Sequence, residues 1–268
     1  MKKRLLLIFA ILISAMVVFT ACNNDDEEET DRRTLIMGTN ASFPPFEFLA
    51  DGGQGVIGRY AGIDVSLVAR IAEELGMDVE IRDQEFAGLI FALENREIDF
   101  IAAAMTIRPD RQERVNFTVP YFDARQTVIV LSDNTDINSI EDLEGMIVGV
   151  QFATTAELRL TDEDVNINFD EVRSYNQPAM GIMDLISGSI DAFVVDAPVA
   201  RGFYSVHGGA LRLFTDEEFF GPEQYGMAFH LEDTELLAQF NEVLTRLIAE
   251  GFVDYLYDHY TAMLALEE

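Results

Sequence analysis

Apolar residues recur along this chain in two spacings. Over 63–75, Ile63, Leu67, Ile71 and Leu75 stand four apart, which places them on one face of a helix, and Gly76 predicts its end. Segments 86–93 and 178–187 are further apolar stretches of helical length, another helix starts at about Ala156, and 238–248 (with Phe240, Val243, Leu244 and Leu247) predicts a long amphipathic helix closed by Gly251. Shorter apolar runs bounded by turn residues predict strands over 35–39, 79–82 and 98–102. After an extended buried stretch at 128–131, further strands are predicted over 147–150, 165–169 and 192–195. Strands alternating with helices predict an α/β architecture.

Two pieces of the pattern repeat. Segments 95–101 (NREIDFI) and 187–193 (SGSIDAF) each follow an apolar helix and run into an apolar strand. Segments 37–40 (MGTN) and 148–151 (VGVQ) each end a strand in a polar loop. This predicts two lobes of similar βαβ construction. Ligands of such sheets bind beyond the carboxyl ends of the strands, so two facing lobes would share a cleft lined by 40–43, 103–111, 151–155 and Asp196.

The first residues read as an address. Met1-Lys2-Lys3-Arg4 precedes the apolar run 5–21, which is slightly short of the roughly 20 residues of a spanning helix and suits a secretory signal. The run ends in Phe19-Thr20-Ala21-Cys22, which resembles a bacterial lipobox, with Phe19 where leucine is usual. That resemblance implies cleavage before Cys22 and a lipid on its sulfur. Segment 23–30 (NNDDEEET) reads as a solvated tether. The expectation is a protein lipid-anchored outside the cytoplasmic membrane, against an uncleaved anchor helix or a soluble secreted protein. No second apolar run is long enough to span a membrane.

Composition then removes function classes. A length of 268 residues sets a prior of about two domains. With 18 basic against 48 acidic residues and a net charge of −30, nucleic-acid phosphates are excluded as partners. The lysines are Lys2 and Lys3, so cleavage leaves a body without a Schiff-base or P-loop lysine. Cys22 is the single cysteine, which excludes internal disulfides and Cys-rich zinc sites. His207, His230 and His259 show no metal-ligand spacing, and no cofactor or metal is expected.

The residues at the predicted strand ends resemble those of the polar amino-acid-binding proteins of bacterial ABC importers, the extracellular solute-binding proteins of family 3. The matching stretches are 38–46 (GTNASFPPF), 62–65 (GIDV), 105–111 (MTIRPDR), 115–121 (VNFTVPY), 149–155 (GVQFATT), 190–196 (IDAFVVD) and 224–228 (QYGMA). They cover nearly everything after Leu35. The resemblance implies a two-lobed periplasmic-binding-protein fold of type II, each lobe a βαβ-built sheet flanked by helices, with two hinge crossings. The expected division is a signal at 1–21, a tether at 22–32, a discontinuous first lobe at 33–124 and 223–268, and a second lobe at 125–222.

The resemblance also implies roles. An amino-acid carboxylate in a nearly dry cleft needs a bidentate cation, because an unpaired buried charge costs several kcal/mol; Arg111 matches that position, helped by the hydroxyls of Thr106 and Thr155. The ligand ammonium is assigned to Asp196 and to the backbone carbonyl of Ala104. Asp196 also stands where a helix N-cap would, before Ala197-Pro198. Phe43 and Phe86 match aromatic walls, and Asn40 and Gln151 match positions that meet the ligand's side chain. Asp64 reads as an N-cap or first-turn acid of its helix.

Asn40 and Gln151 offer amides and no charge, and the strip 102–104 (AAA) resembles the glutamine-type pattern. The expected ligand is therefore a neutral, glutamine-like L-amino acid delivered to an ABC permease by a monomer. Arginine or lysine is the alternative, because the QFATT stretch also resembles arginine-type relatives and Glu47 stands within reach of the cleft. From other classes, a dehydratase-type enzyme on the same fold would need an extra acid or base beside Arg111, and a sensory module would need a further domain.

Overall fold

The computed structural model describes residues 32–265; Cys22, the apolar run and most of the tether lie outside the described residues. Strand β1 (Thr34–Thr39) is followed by three short strands, β2 (Ser42–Phe43), β3 (Glu47–Leu49) and β4 (Tyr60–Ala61), which form a small sheet of their own. Helix α1 (Ile63–Leu75) leads to β5 (Asp78–Asp83), and α2 (Leu89–Glu94) to β6 (Phe100–Ile101). The one-turn α3 (Pro109–Gln112), β7 (Val115–Phe117) and β8 (Phe122–Ala124) follow. The next series is β9 (Gln126–Leu131), β10 (Ile147–Gln151), α4 (Thr155–Leu160), β11 (Glu171–Tyr175), α5 (Pro178–Ile186), β12 (Ala192–Asp196), α6 (Ala197–Val206) and β13 (Leu211–Phe214). Strands β14 (Glu223–Tyr225) and β15 (Ala228–His230) precede α7 (Thr234–Ala249) and α8 (Phe252–Leu264).

Two five-stranded sheets result, in the orders β5-β1-β6-β15-β7 and β11-β10-β12-β9-β13. Position by position the orders correspond. Three parallel strands come first in each, then two pairings that are antiparallel. The first sheet takes its fourth strand from late in the chain and the second from just before its own series, so the chain crosses between sheets twice. The crossings lie side by side, because β8 and β14 pair antiparallel with Ala124 opposite Glu223.

The repeated motifs occupy equivalent places. A Cβ on Gly38 would stand 2.3 Å from Ile98, and one on Gly149 would stand 2.7 Å from Ile190 and Phe193, so a side chain at either position would force those neighbours to shift. Asp99 accepts the Ile36 N–H at 2.6 Å, and Asp191 accepts the Ile147 N–H at 2.8 Å. Helix α1 runs from Ile63 to Leu75 and stops at left-handed Gly76. Helix α7 buries Leu236, Phe240, Val243, Leu244 and Leu247, so it starts earlier than the spacing alone indicates.

The strand expected over 165–169 is not one. Ile167 and Phe169 pack on the core of the second lobe from an irregular segment, and the place beside β10 is filled by Glu171–Tyr175. Alternating apolar residues there record burial on one side only, without ladder pairing. Among the described residues no helix is long and apolar enough to cross a membrane, and no His, Cys, Asp or Glu cluster is arranged to hold a metal ion.

Candidate functional site

A cavity lies at the carboxyl ends of the parallel strands of both sheets, and Asn40, Phe43, Phe86, Ala104, Thr106, Arg111, Gln151, Thr155 and Asp196 all line it. Asn40 and Phe43 follow β1, Phe86 follows β5, and Ala104 and Thr106 follow β6. Arg111 comes from α3, Gln151 from the last position of β10, Thr155 from the start of α4, and Asp196 from the end of β12. Glu47, Ala103 and Thr154 complete the lining.

Arg111 is only 4% exposed. Its Nη1 donates to the Thr106 carbonyl at 2.9 Å and its Nη2 to the Ala153 carbonyl at 3.1 Å, while the Phe86 ring lies 5.3 Å from the guanidinium carbon. Both bonds go to neutral carbonyls, and among the described residues the cation has no carboxylate partner in an ion pair. Burial, with Arg108 alongside, draws its pKa down to about 9; it remains a cation at neutral pH. Ala153 and Ala104 both have positive φ (62° and 45°), a conformation costing non-glycine residues on the order of 1–3 kcal/mol. Such strain is tolerated where backbone must face a ligand.

Two carboxyls share the cavity with this cation. Burial, and Glu223 nearby, push Asp196 up to about 7; its Oδ1 accepts the Tyr225 hydroxyl at 2.6 Å. Glu47 is 1% exposed and its Oε2 has no hydrogen-bond partner. Burial, and then Asp64, Asp196 and Asp83, raise its pKa well above the usual carboxylate range. If all three groups are ionised, the lining carries one positive and two negative charges.

Several expected roles change with the geometry. The Thr106 hydroxyl gives its proton to Glu223 Oε2 at 2.9 Å, so it is not free to donate to a ligand carboxylate. Thr155 Oγ1 accepts from Arg108 at 3.5 Å and keeps its own proton. Asp196 holds the N-cap position of α6 without making a side-chain cap bond, because its carboxyl is turned to Tyr225. Asp64 is in the first turn of α1, but Gly62 is the cap; the Asp64 carboxylate accepts from Ala104 N–H and Tyr121 O–H. Gln151 and Asn40 bond to each other at 3.1 Å, Gln151 also donates to the Asn176 carbonyl, and Asn40 donates to the Gln84 carbonyl. Much of their amide capacity is therefore used within the protein.

Sequence reasoning did not single out Thr154, Tyr225, Tyr121 or Glu223 as parts of the site. Thr154, Tyr225 and Tyr121 stand inside the matching stretches 149–155, 224–228 and 115–121, which is the signal that could have found them. Glu223 carries no such signal: it reaches the site only because the β8–β14 crossing brings it to Thr106 and to Gln126, whose Nε2 donates to it at 3.1 Å.

The sequence model of the bacterial extracellular solute-binding proteins, family 3, matches residues 35–263. The chain belongs to that family. This solute-binding protein is 33% identical over 231 residues to an L-arginine-binding protein of Pseudomonas aeruginosa, covering 84% of this chain and 86% of the relative. Among solved structures it is similar to an ancestral arginine-binding protein bound to glutamine (TM-score 0.76, 33% identity, 85% of this chain and 98% of that one). It is likewise similar to an ancestral arginine-binding protein bound to arginine (TM-score 0.74, 33% identity, with the same coverage). Its curated relatives are amino-acid-binding proteins, and the solved neighbours carry the type II two-lobed fold described above.

Proposed function

We propose that this protein is the receptor of an ABC importer that closes its two lobes, 33–124 with 223–268 and 125–222, around a basic L-amino acid and presents it to the permease. Arg111 pairs with the ligand carboxylate, Asp196 with its ammonium, and Glu47 with the distal cation of the side chain. Phe43 and Phe86 cover the aliphatic stem. The observation that carries this reading is the buried, unpartnered Oε2 of Glu47. A neutral amino acid leaves that carboxyl unmatched, whereas arginine or lysine brings the charge that neutralises the cavity. The matches to arginine-binding relatives support the same class.

Glutamine is the second reading, favoured by the raised pKa of Glu47: a protonated carboxyl leaves the cavity neutral and can donate to an amide carbonyl. A thermal-shift panel of the twenty amino acids separates the two. Arginine and lysine should give the largest shifts, and Glu47→Gln should lower the preference for arginine over glutamine at least tenfold. Shifts confined to neutral amino acids would contradict the basic-ligand reading. We further infer that Cys22 carries a lipid holding the protein outside the cytoplasmic membrane, close to its permease.

A further inference from the structure

We propose that Asp64 is a positioning residue for the ligand's ammonium group, acting through the backbone of Ala104; this rests on the amino-acid reading above. Asp64 is fully buried in the first turn of α1 and does not cap it. Its carboxylate receives two donors: Oδ2 accepts the Ala104 N–H at 2.8 Å, and the Tyr121 hydroxyl donates to Oδ1 and Oδ2 at 2.7 and 2.8 Å. Among the described residues it forms no ion pair. A charged acceptor makes a stronger bond to N–H than a neutral one, and here the N–H belongs to a residue held at φ 45°.

The consequence follows from peptide geometry. In a planar trans peptide, N–H and C=O point in opposite directions. Fixing the Ala104 N–H on Asp64 therefore turns the Ala103 carbonyl away from Asp64, and the left-handed φ of Ala104 sets the course of the chain that carries the Ala104 carbonyl. Both alanines line the cavity. Among the described residues neither carbonyl accepts a hydrogen bond. A ligand ammonium has three donors; Asp196 on the second lobe receives some, and a carbonyl of Ala103 or Ala104 on the first lobe receives the rest. The ammonium thus bridges the lobes, and Asp64 keeps the first-lobe acceptor in place without touching the ligand.

A pair of ligands differing only in the ammonium separates positioning from a general structural role. Calorimetric titrations compare L-arginine with 5-guanidinopentanoate, which keeps the carboxylate and the guanidinium, on wild-type full-length protein and on Asp64→Asn. The substitution should weaken L-arginine at least tenfold and 5-guanidinopentanoate less than threefold. Should Asp64→Asn melt before the titration temperature, Tyr121→Phe, which leaves the Asp64–Ala104 bond intact, should show the same selectivity at about threefold. If the wild type prefers glutamine, the same comparison is made with glutamine and 4-carbamoylbutanoate. Equal losses for both members of a pair, or no loss, overturn this inference alone; a wild type that binds no amino acid overturns the receptor reading and this inference with it.

Discussion

The side-chain amide of Gln151 donates to Asn40 Oδ1 across the cleft at 3.1 Å. These two residues end β10 and follow β1, equivalent strands of the two sheets, so the internal repeat meets itself at the ligand cavity. The bond joins the two strand ends directly, and the expectation is that it helps hold the lobes together over a ligand. A buried neutral hydrogen bond contributes about 1 kcal/mol, so Gln151→Ala should weaken amino-acid binding roughly fivefold. The loss should appear as faster dissociation in stopped-flow measurements; an unchanged dissociation rate would show that the bond does not hold closure.

Arg111 should act on every ligand alike. Removing one partner of a buried charge pair costs about 2–5 kcal/mol, so Arg111→Gln should weaken arginine, lysine and glutamine by at least about thirtyfold each. The ratio between ligands should stay within about threefold, because the α-carboxylate is common to all. Arg111→Lys keeps the charge but not the planar fork and should fall between. A variant that loses arginine selectively would place the guanidinium-reading role at Arg111 rather than at Glu47.

The pH dependence follows from the buried carboxyls. Asp64 is raised from 3.8 to about 6, mainly by burial, and Asp196 to about 7. Groups held above their unfolded values give stability that is full below about pH 4 and is lost as pH rises through the folded values. The ligand-free protein should therefore melt at a higher temperature at pH 5.5 than at pH 8. Saturating arginine should flatten this slope, because its cations favour the ionised carboxyls. A ligand-free melting temperature that rises from pH 5.5 to pH 8 would contradict the burial argument.

Much of this arrangement was legible in the sequence because it rests on short-range chemistry. Gly38 and Gly149, the Ile98-Asp99 and Ile190-Asp191 pairs and the strand-end polar residues each mark one local packing event, and their repetition disclosed two similar lobes. What stayed hidden depends on contacts between distant segments. Glu223 reaches Thr106 only through the paired crossings. Asp64 serves Ala104, 40 residues away, where local reading offered a helix terminus. The 165–169 segment shows the converse: a two-residue period marks one-sided burial and leaves open which segment pairs with β10.

Cys22 gives a separate test of location. Cys22→Ser should abolish metabolic labelling with fatty acid and shift the protein from the membrane fraction to the medium or periplasmic extract. Amino-acid binding by the purified variant should be unchanged. Labelling that persists after the substitution would contradict a lipid at this position.

The central claim is that Glu47 selects a basic amino acid, and calorimetric titration of the wild-type protein at pH 7.5 with L-arginine and L-glutamine tests it most directly. The account predicts arginine at least tenfold tighter, about 1.4 kcal/mol. Glutamine binding as tightly as arginine, or more tightly, would contradict it.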